Sequence, residues 1–275
     1  MRTEQNQRVD LGLRARAYVV TGGSRGLGFA AAEALVAEGA YVVLSAPHEA
    51  TASSAAKRLA QSGASADRVA WIVGDNADPA TPGRLIGAAR QRFGRLDGAL
   101  LSVGGSPPGT VATTTDDAWR SAFESVFLGS VRLARTLAAD PDRDGLGSSL
   151  SGTGLSIVFV LASSVRVPLP ELAVSNGLFP GLAGVVKTLA GELGPEGIRV
   201  NGVLPVRIAT DRVRELDALR GDPDEVRALR SQDIPLRRYG EPAEFGRVAA
   251  FLLSPAASYI TGAMIPVDGG DIRSI

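Results

Sequence analysis

Short runs rich in Val, Ile and Leu alternate along most of this chain with longer, Ala-rich amphipathic stretches. Strands that continuously apolar have no face suited to water, so they need cover on both sides, and the stretches between them have the period of helices that supply it. Strands are predicted at Ala17 to Thr21, Tyr41 to Ser45, Ala70 to Val73, Gly98 to Val103, Ser156 to Leu161, Arg199 to Leu204 and Met264 to Val267. Helices are predicted near Gly26 to Glu38, Ala50 to Ser62, Pro82 to Phe93, Asp116 to Ala139, Val174 to Leu193 and Pro242 to Leu253. No internal repeat of solenoid period interrupts the alternation. The pattern predicts an α/β fold: a doubly wound parallel sheet of about seven strands between two helical layers, with ligands at the carboxyl ends of the strands.

The 275 residues suffice for one large domain, expected over residues 15–275 after a flexible, polar lead-in over 1–14. Two segments break the rhythm. Pro141 to Gly154, PDRDGLGSSLSGTG, reads as an exposed loop. Val206 to Pro235 follows a strand and contains RVRELDALRGDPDEVRALRSQ, two short helical patterns separated by Gly221, Asp222 and Pro223, so a substrate lid is predicted around 206–235. Basic and acidic residues number 29 each, which leaves no basic stripe for a phosphate backbone. The lack of cysteine excludes disulfides, thiolate metal sites and cysteine nucleophiles. No apolar run reaches the roughly 20 residues that span a bilayer, and the start MRTEQNQRVD lacks the core of a secretory signal. A soluble, cytoplasmic protein without nucleic-acid, membrane or metal partners is the expectation.

Thr21 to Gly28 reads TGGSRGLG, directly after a predicted strand and before a predicted helix. Glycines there allow a tight turn and close approach of a pyrophosphate, whose charge is favoured by free N–H groups at the helix start. A dinucleotide site involving Gly22, Ser24, Arg25, Gly26, Leu27 and Gly28 is expected; a ligand-free turn is the plainer alternative.

The spacing TGxxxGxG, with LAGELGPEGIRVNGVLP and the closing GEPAEFGRVAAFLLSPAASYITGAMIPVDGG, resembles the short-chain dehydrogenase/reductase family from about Ala17 to Gly270, most closely its 3-oxoacyl-[acyl-carrier-protein] reductase-like branch. The resemblance implies a single-domain Rossmann-type fold, a dimer or tetramer, and NAD(H) or NADP(H) across the strand ends. No acid follows the second strand to bind ribose hydroxyls, whereas Arg25, with Ser45 as a second donor, suits a 2′-phosphate, so NADP(H) is the expected nucleotide. Arg25 is equally compatible with a solvated surface charge. Asp75 and Asn76 match positions that contact adenine, although a strand-end turn has the same residues, and Gly104 matches a glycine after the fourth strand. His48, the only histidine, lies near the adenosine end, where a surface role suits it.

The family's chemistry uses a tyrosine acid, a lysine four residues later, a carbonyl-polarising serine and an asparagine that supports a proton relay. Counting back from KTLAGELGPEGIRVN puts the tyrosine and lysine positions at Ser175 and Phe179, the serine at Ala162 and the asparagine at Val126. The family's Asn-Asn-Ala-Gly becomes Leu101, Ser102, Val103 and Gly104, and its Pro-Gly becomes Pro205 and Val206. The standard hydride-transfer machinery is therefore expected to be replaced. Val103, Val126, Ala162, Phe179 and Val206 predict an apolar chamber, with Ser163, Ser164, Arg166, Glu171, Ser175, Asn176 and Arg207 as the polar residues around it. Ser175 alternatively caps a helix. Arg166 and Glu171 form a candidate electrophile and base if burial raises the carboxyl pKa, and plain loop charges otherwise.

Three functions are open at this point. A non-redox enzyme would cyclise, isomerise or dehydrate an apolar, polyketide-like molecule, with NADP(H) structural or lost. An NADP(H)-dependent ketoreductase would use displaced donors, Ser163 or Ser164. A non-catalytic subunit would stabilise a homologous active partner.

Overall fold

The structure is a computed structural model that describes residues 10–62, 65–140 and 154–274. Its strands are β1 (Ala17–Val20), β2 (Tyr41–Ala46), β3 (Val69–Val73), β4 (Gly98–Leu101), β5 (Ser156–Val160), β6 (Arg199–Pro205) and β7 (Met264–Val267). They form one parallel sheet in the order β3-β2-β1-β4-β5-β6-β7. Val19 of β1 pairs with Val43 on one side and Ala99 on the other, so the chain winds outward in both directions from β1. The resulting crevice at the carboxyl ends of β1 and β4 is where a doubly wound sheet binds ligands.

Helices α1 (Gly26–Ala37), α2 (Glu49–Gln61) and α9 (Pro242–Leu253) pack on one side of the sheet. Helices α3 (Thr81–Phe93), α4 (Asp116–Ala122), α5 (Gly129–Ala138) and α6 (Ala173–Leu193) belong to the opposite core layer. Every residue of β1, β4 and β5 is buried, which is why these strands read as unbroken apolar runs. Helices α7 (Asp211–Ala218) and α8 (Pro223–Ser231) fill the predicted two-helix segment after β6. Gly221 at φ +146° turns the chain between them, and the Asp222 carboxylate accepts from the Asp224 and Glu225 N–H groups at the start of α8.

Two sequence expectations differ from the structure. The single helix predicted over Asp116 to Ala139 contains a π-helical turn, Phe123–Leu128, between α4 and α5. From the first turn of α5, the Ser130 hydroxyl donates back to the Val126 carbonyl of this wider turn at 2.6 Å. Residues 1–9 of the predicted lead-in lie outside the described residues, but Leu13, near its end, is 1% exposed and Leu11 packs on the same core. Apolar burial therefore starts before residue 15. The predicted loop over 141–154 lies outside the described residues apart from Gly154.

Candidate functional site

The glycine turn joins β1 to α1. Gly22 sits at φ +57°, and a Cβ on Gly28 would stand 2.4 Å from the Gly22 carbonyl oxygen, so the first turn of α1 packs directly on the backbone of the turn. Neither a side-chain cap nor an acidic residue occupies the first turn of α1. Its leading N–H groups and the positive end of the helix dipole are left to an anion, a donor set that fits the pyrophosphate of a dinucleotide. Ser24 and Leu27 are half-buried beside them, and the methyl group of Thr210 lies near Gly26. Gly104, after β4, faces open space.

The adenosine end is built differently from the expectation. Arg25 is exposed as expected, but its guanidinium meets Glu215 of α7 at 3.4 Å. Ser45 is 1% exposed and its hydroxyl has no partner; it is buried beside Gly74 instead of standing open as a second phosphate donor. The Asp75 carboxylate accepts from the Ala77 N–H and closes its own turn, while the Asn76 carbonyl packs against Gly129 of α5. His48 is exposed at the start of α2.

A cavity of about 520 Å³ opens at the carboxyl ends of β5 and β6. Ala162 and Ser163 line it just after β5, Pro205, Val206 and Arg207 at and just after the end of β6, and Leu169, Pro170 and Leu172 from the loop before α6. Its outer wall comes from α7 and the turn after it, through Val213, Leu216, Leu219 and Arg220. Val213, Leu216 and Leu219 recur every three residues, a helical-face signal present in RVRELDALR. Sequence reasoning placed a lid there without singling out these residues.

Of the polar candidates, Ser163, Glu171 and Arg207 reach the cavity. Among the described residues, Ser163 is the one hydroxyl side chain in its wall. Ser164 points the other way: it is buried, and its hydroxyl donates to the Ser175 carbonyl at 3.2 Å. Ser175 is the third residue of α6 rather than its cap, because the helix already begins at Ala173. The Asn176 amide makes two bonds to the backbone of Leu169, at 2.8 and 2.9 Å, and braces the loop. Arg166 is exposed outside the cavity wall. Glu171, at φ +60°, is 64% exposed at its side chain and pairs with Arg220 at 3.3 Å. The burial that the candidate base role required is absent, and the carboxylate is engaged by Arg220.

Among the apolar candidates, Ala162 and Val206 line the cavity, Val103 is half-buried, and Val126 and Phe179 are buried in the core. The cavity is lined by aliphatic side chains but also by the charged Glu171, Arg207, Arg220, Arg230, Asp233 and Asp271, and it is displaced from Val103, Val126 and Phe179 toward α7. The lysines of the chain are Lys57 and Lys187, preceded four residues earlier by Ser53 and Ala183, so no Tyr-x-x-x-Lys spacing occurs anywhere in the sequence.

Arg207 is fixed by neighbours that the sequence did not signal. At φ +50°, it pairs with the buried Asp217 carboxylate at 2.9 Å, and the Tyr239 hydroxyl donates to the other oxygen of that carboxylate at 3.0 Å. Burial pushes the Tyr239 phenol above its ordinary pKa. This cluster ties α7 to the end of β6. Among the described residues, no group of three His, Asp or Glu could hold a metal ion, and no helix is long and apolar enough to cross a membrane.

The family model described as enoyl-(acyl carrier protein) reductase matches residues 22–271. An uncharacterised oxidoreductase of Mycobacterium tuberculosis is 34% identical over 252 residues, covering 92% of this chain and 90% of that protein. The short-chain reductase NovJ of Streptomyces niveus is 30% identical, with 92% of each chain covered. The L-sorbose reductase of Gluconobacter frateurii, solved with NADPH and L-sorbose, superposes with a TM-score of 0.86 at 28% identity, covering 97% of this chain and all of the other. The glycine turn, the strand order and these matches agree, and the chain belongs to the short-chain dehydrogenase/reductase family.

Proposed function

We propose that the protein binds NADP(H) at the glycine turn and carries out a non-redox transformation of an apolar, polyketide-like small molecule in the neighbouring chamber. Cyclisation, isomerisation or dehydration are the reactions in view. The observation that carries this reading is the chamber wall: its aliphatic side chains are joined by one hydroxyl, at Ser163, and by the charged Glu171, Arg207, Arg220, Arg230, Asp233 and Asp271, but, among the described residues, by neither tyrosine nor lysine. Bound NADPH supplies a hydride to a carbonyl, but rapid reduction also needs a proton from the protein, and an alcohol is a far weaker acid than a lysine-assisted phenol. What the chain provides is confinement. Val206, Val213, Leu216 and Leu219 exclude water from one side of the ligand, and Ser163 fixes one polar atom, so the reacting parts of a flexible molecule are held close together. Helices α7 and α8 act as the lid.

A second reading, a slow ketoreductase, is favoured by the position of Ser163, where its hydroxyl could hold a proton at the carbonyl oxygen, and by the reductase relatives. Incubation with NADPH and apolar polyketones, with product mass and NADPH absorbance followed together, separates the two. The first reading expects product of unchanged mass, or lighter by one water, with NADPH intact. Product heavier by two hydrogens with matching NADPH loss, abolished by Ser163→Ala, establishes the second.

A further inference from the structure

The glycine turn does not face free solvent on the α7 side. Arg25, the residue suited to a 2′-phosphate, points its Nη1 at Glu215 Oε1, 3.4 Å away. The other oxygen of the same carboxylate lies 3.7 Å from Arg212 Nη1. Arg212 is itself positioned: its Nη2 donates to the Ser106 carbonyl at 2.7 Å, and its Nε lies 2.6 Å from where a Cβ on Gly105 would be. One carboxylate therefore bridges a fixed arginine on α7 and the arginine of the glycine turn.

We propose that Glu215 is a nucleotide-selectivity residue, an internal carboxylate that competes with the 2′-phosphate of NADP(H) for Arg25. The inference rests on the reading that the turn takes NADP(H). An arginine fork that meets a carboxylate also matches a phosphate, so the two anions are alternatives for one guanidinium. To reach a 2′-phosphate, Arg25 leaves Glu215, and the incoming phosphate then meets the repulsion of a carboxylate held nearby by Arg212. NADH carries no 2′-phosphate and is not subject to this competition. Both partners are more than half exposed, at 65% and 51%, so screening limits the effect to that of a surface ion pair.

The test compares NADPH and NADH dissociation constants by calorimetry for the wild-type protein, Glu215→Gln and Asp211→Asn. The second variant makes the same charge change one turn earlier on the same helix, at a carboxylate that makes no ion pair with Arg25. Glu215→Gln is expected to bind NADPH about two- to fivefold more tightly with NADH little changed, and the gain should shrink as salt rises. Asp211→Asn should show no such selective gain. An unchanged or weakened NADPH affinity in Glu215→Gln, or an equal gain in Asp211→Asn, overturns the inference and leaves the nucleotide reading in place. If none of the proteins binds either nucleotide, both fall together.

Discussion

At the residue scale, Ser163 and Ser164 are adjacent in sequence and opposite in environment. Ser163 lines the cavity, whereas Ser164 donates inward to the Ser175 carbonyl and ties the end of β5 to the first turn of α6. Ser164→Ala should therefore lower unfolding free energy by about 1 kcal/mol, the usual net value of one such bond. Ser163→Ala should leave stability within about 0.5 kcal/mol while weakening an apolar ligand that carries a carbonyl by about fivefold. Denaturant melts and ligand titration of the two variants check the pair; reversed effects would mean that the two side chains are assigned to the wrong sides. The sequence marked both serines, but they lie in one 3₁₀ turn, Ser163–Val165, after β5, where successive side chains point about a third of a turn apart, and no composition signal decides which one faces the cavity. Glu171 fails for another reason. Its role depended on burial, and its exposed position at a left-handed backbone angle emerges only once the loop is folded.

At the element scale, the strands and the helices that cover them were legible because burial on both sides leaves a long apolar signature, while the inner wall of the chamber was not. The face of α7 toward the cavity is set by where that helix docks, and docking depends on pairs distant in sequence: Glu215 to Arg25, Arg212 to the Ser106 carbonyl, and Asp217 to Arg207 and Tyr239. The π-helical turn before α5 likewise has no signature in a segment that reads as one long helix. Helix α9 shows a local device with a pH signature. The Glu244 carboxylate accepts from both terminal nitrogens of Arg238 at 2.7 Å and from the Glu241 N–H at 2.7 Å. Arg238 first and that N–H second bring its carboxyl down to about 2 from 4.5. A folded-state pKa below the unfolded one means that this contribution is fully present above about 4.5 and is lost as pH falls through about 2. Glu244→Gln should accordingly be less stable than wild type at neutral pH, with the difference closing as the pH approaches 2. Thermal melts across that range measure it, and a gap that persisted at the acid end would show that Glu244 acts through packing instead.

At the scale of the whole molecule, two regions at the strand ends are joined by one helix. The glycine turn offers unpaired N–H groups to an anion at the switch point of the sheet, and the apolar chamber sits beyond β5 and β6. Helix α7 contacts both, through Glu215 at the turn and through Val213 and Leu216 in the chamber wall. In the proposed function, the turn is a nucleotide site although the chamber beside it has no tyrosine–lysine pair in its wall. A calorimetric titration of the purified protein with NADPH, alongside NADH, tests it most directly. Saturable NADPH binding tighter than about 100 μM, equivalent to roughly 5.5 kcal/mol, is the expected result. Absence of binding by both nucleotides would contradict it and leave the glycine turn as packing between β1 and α1 alone.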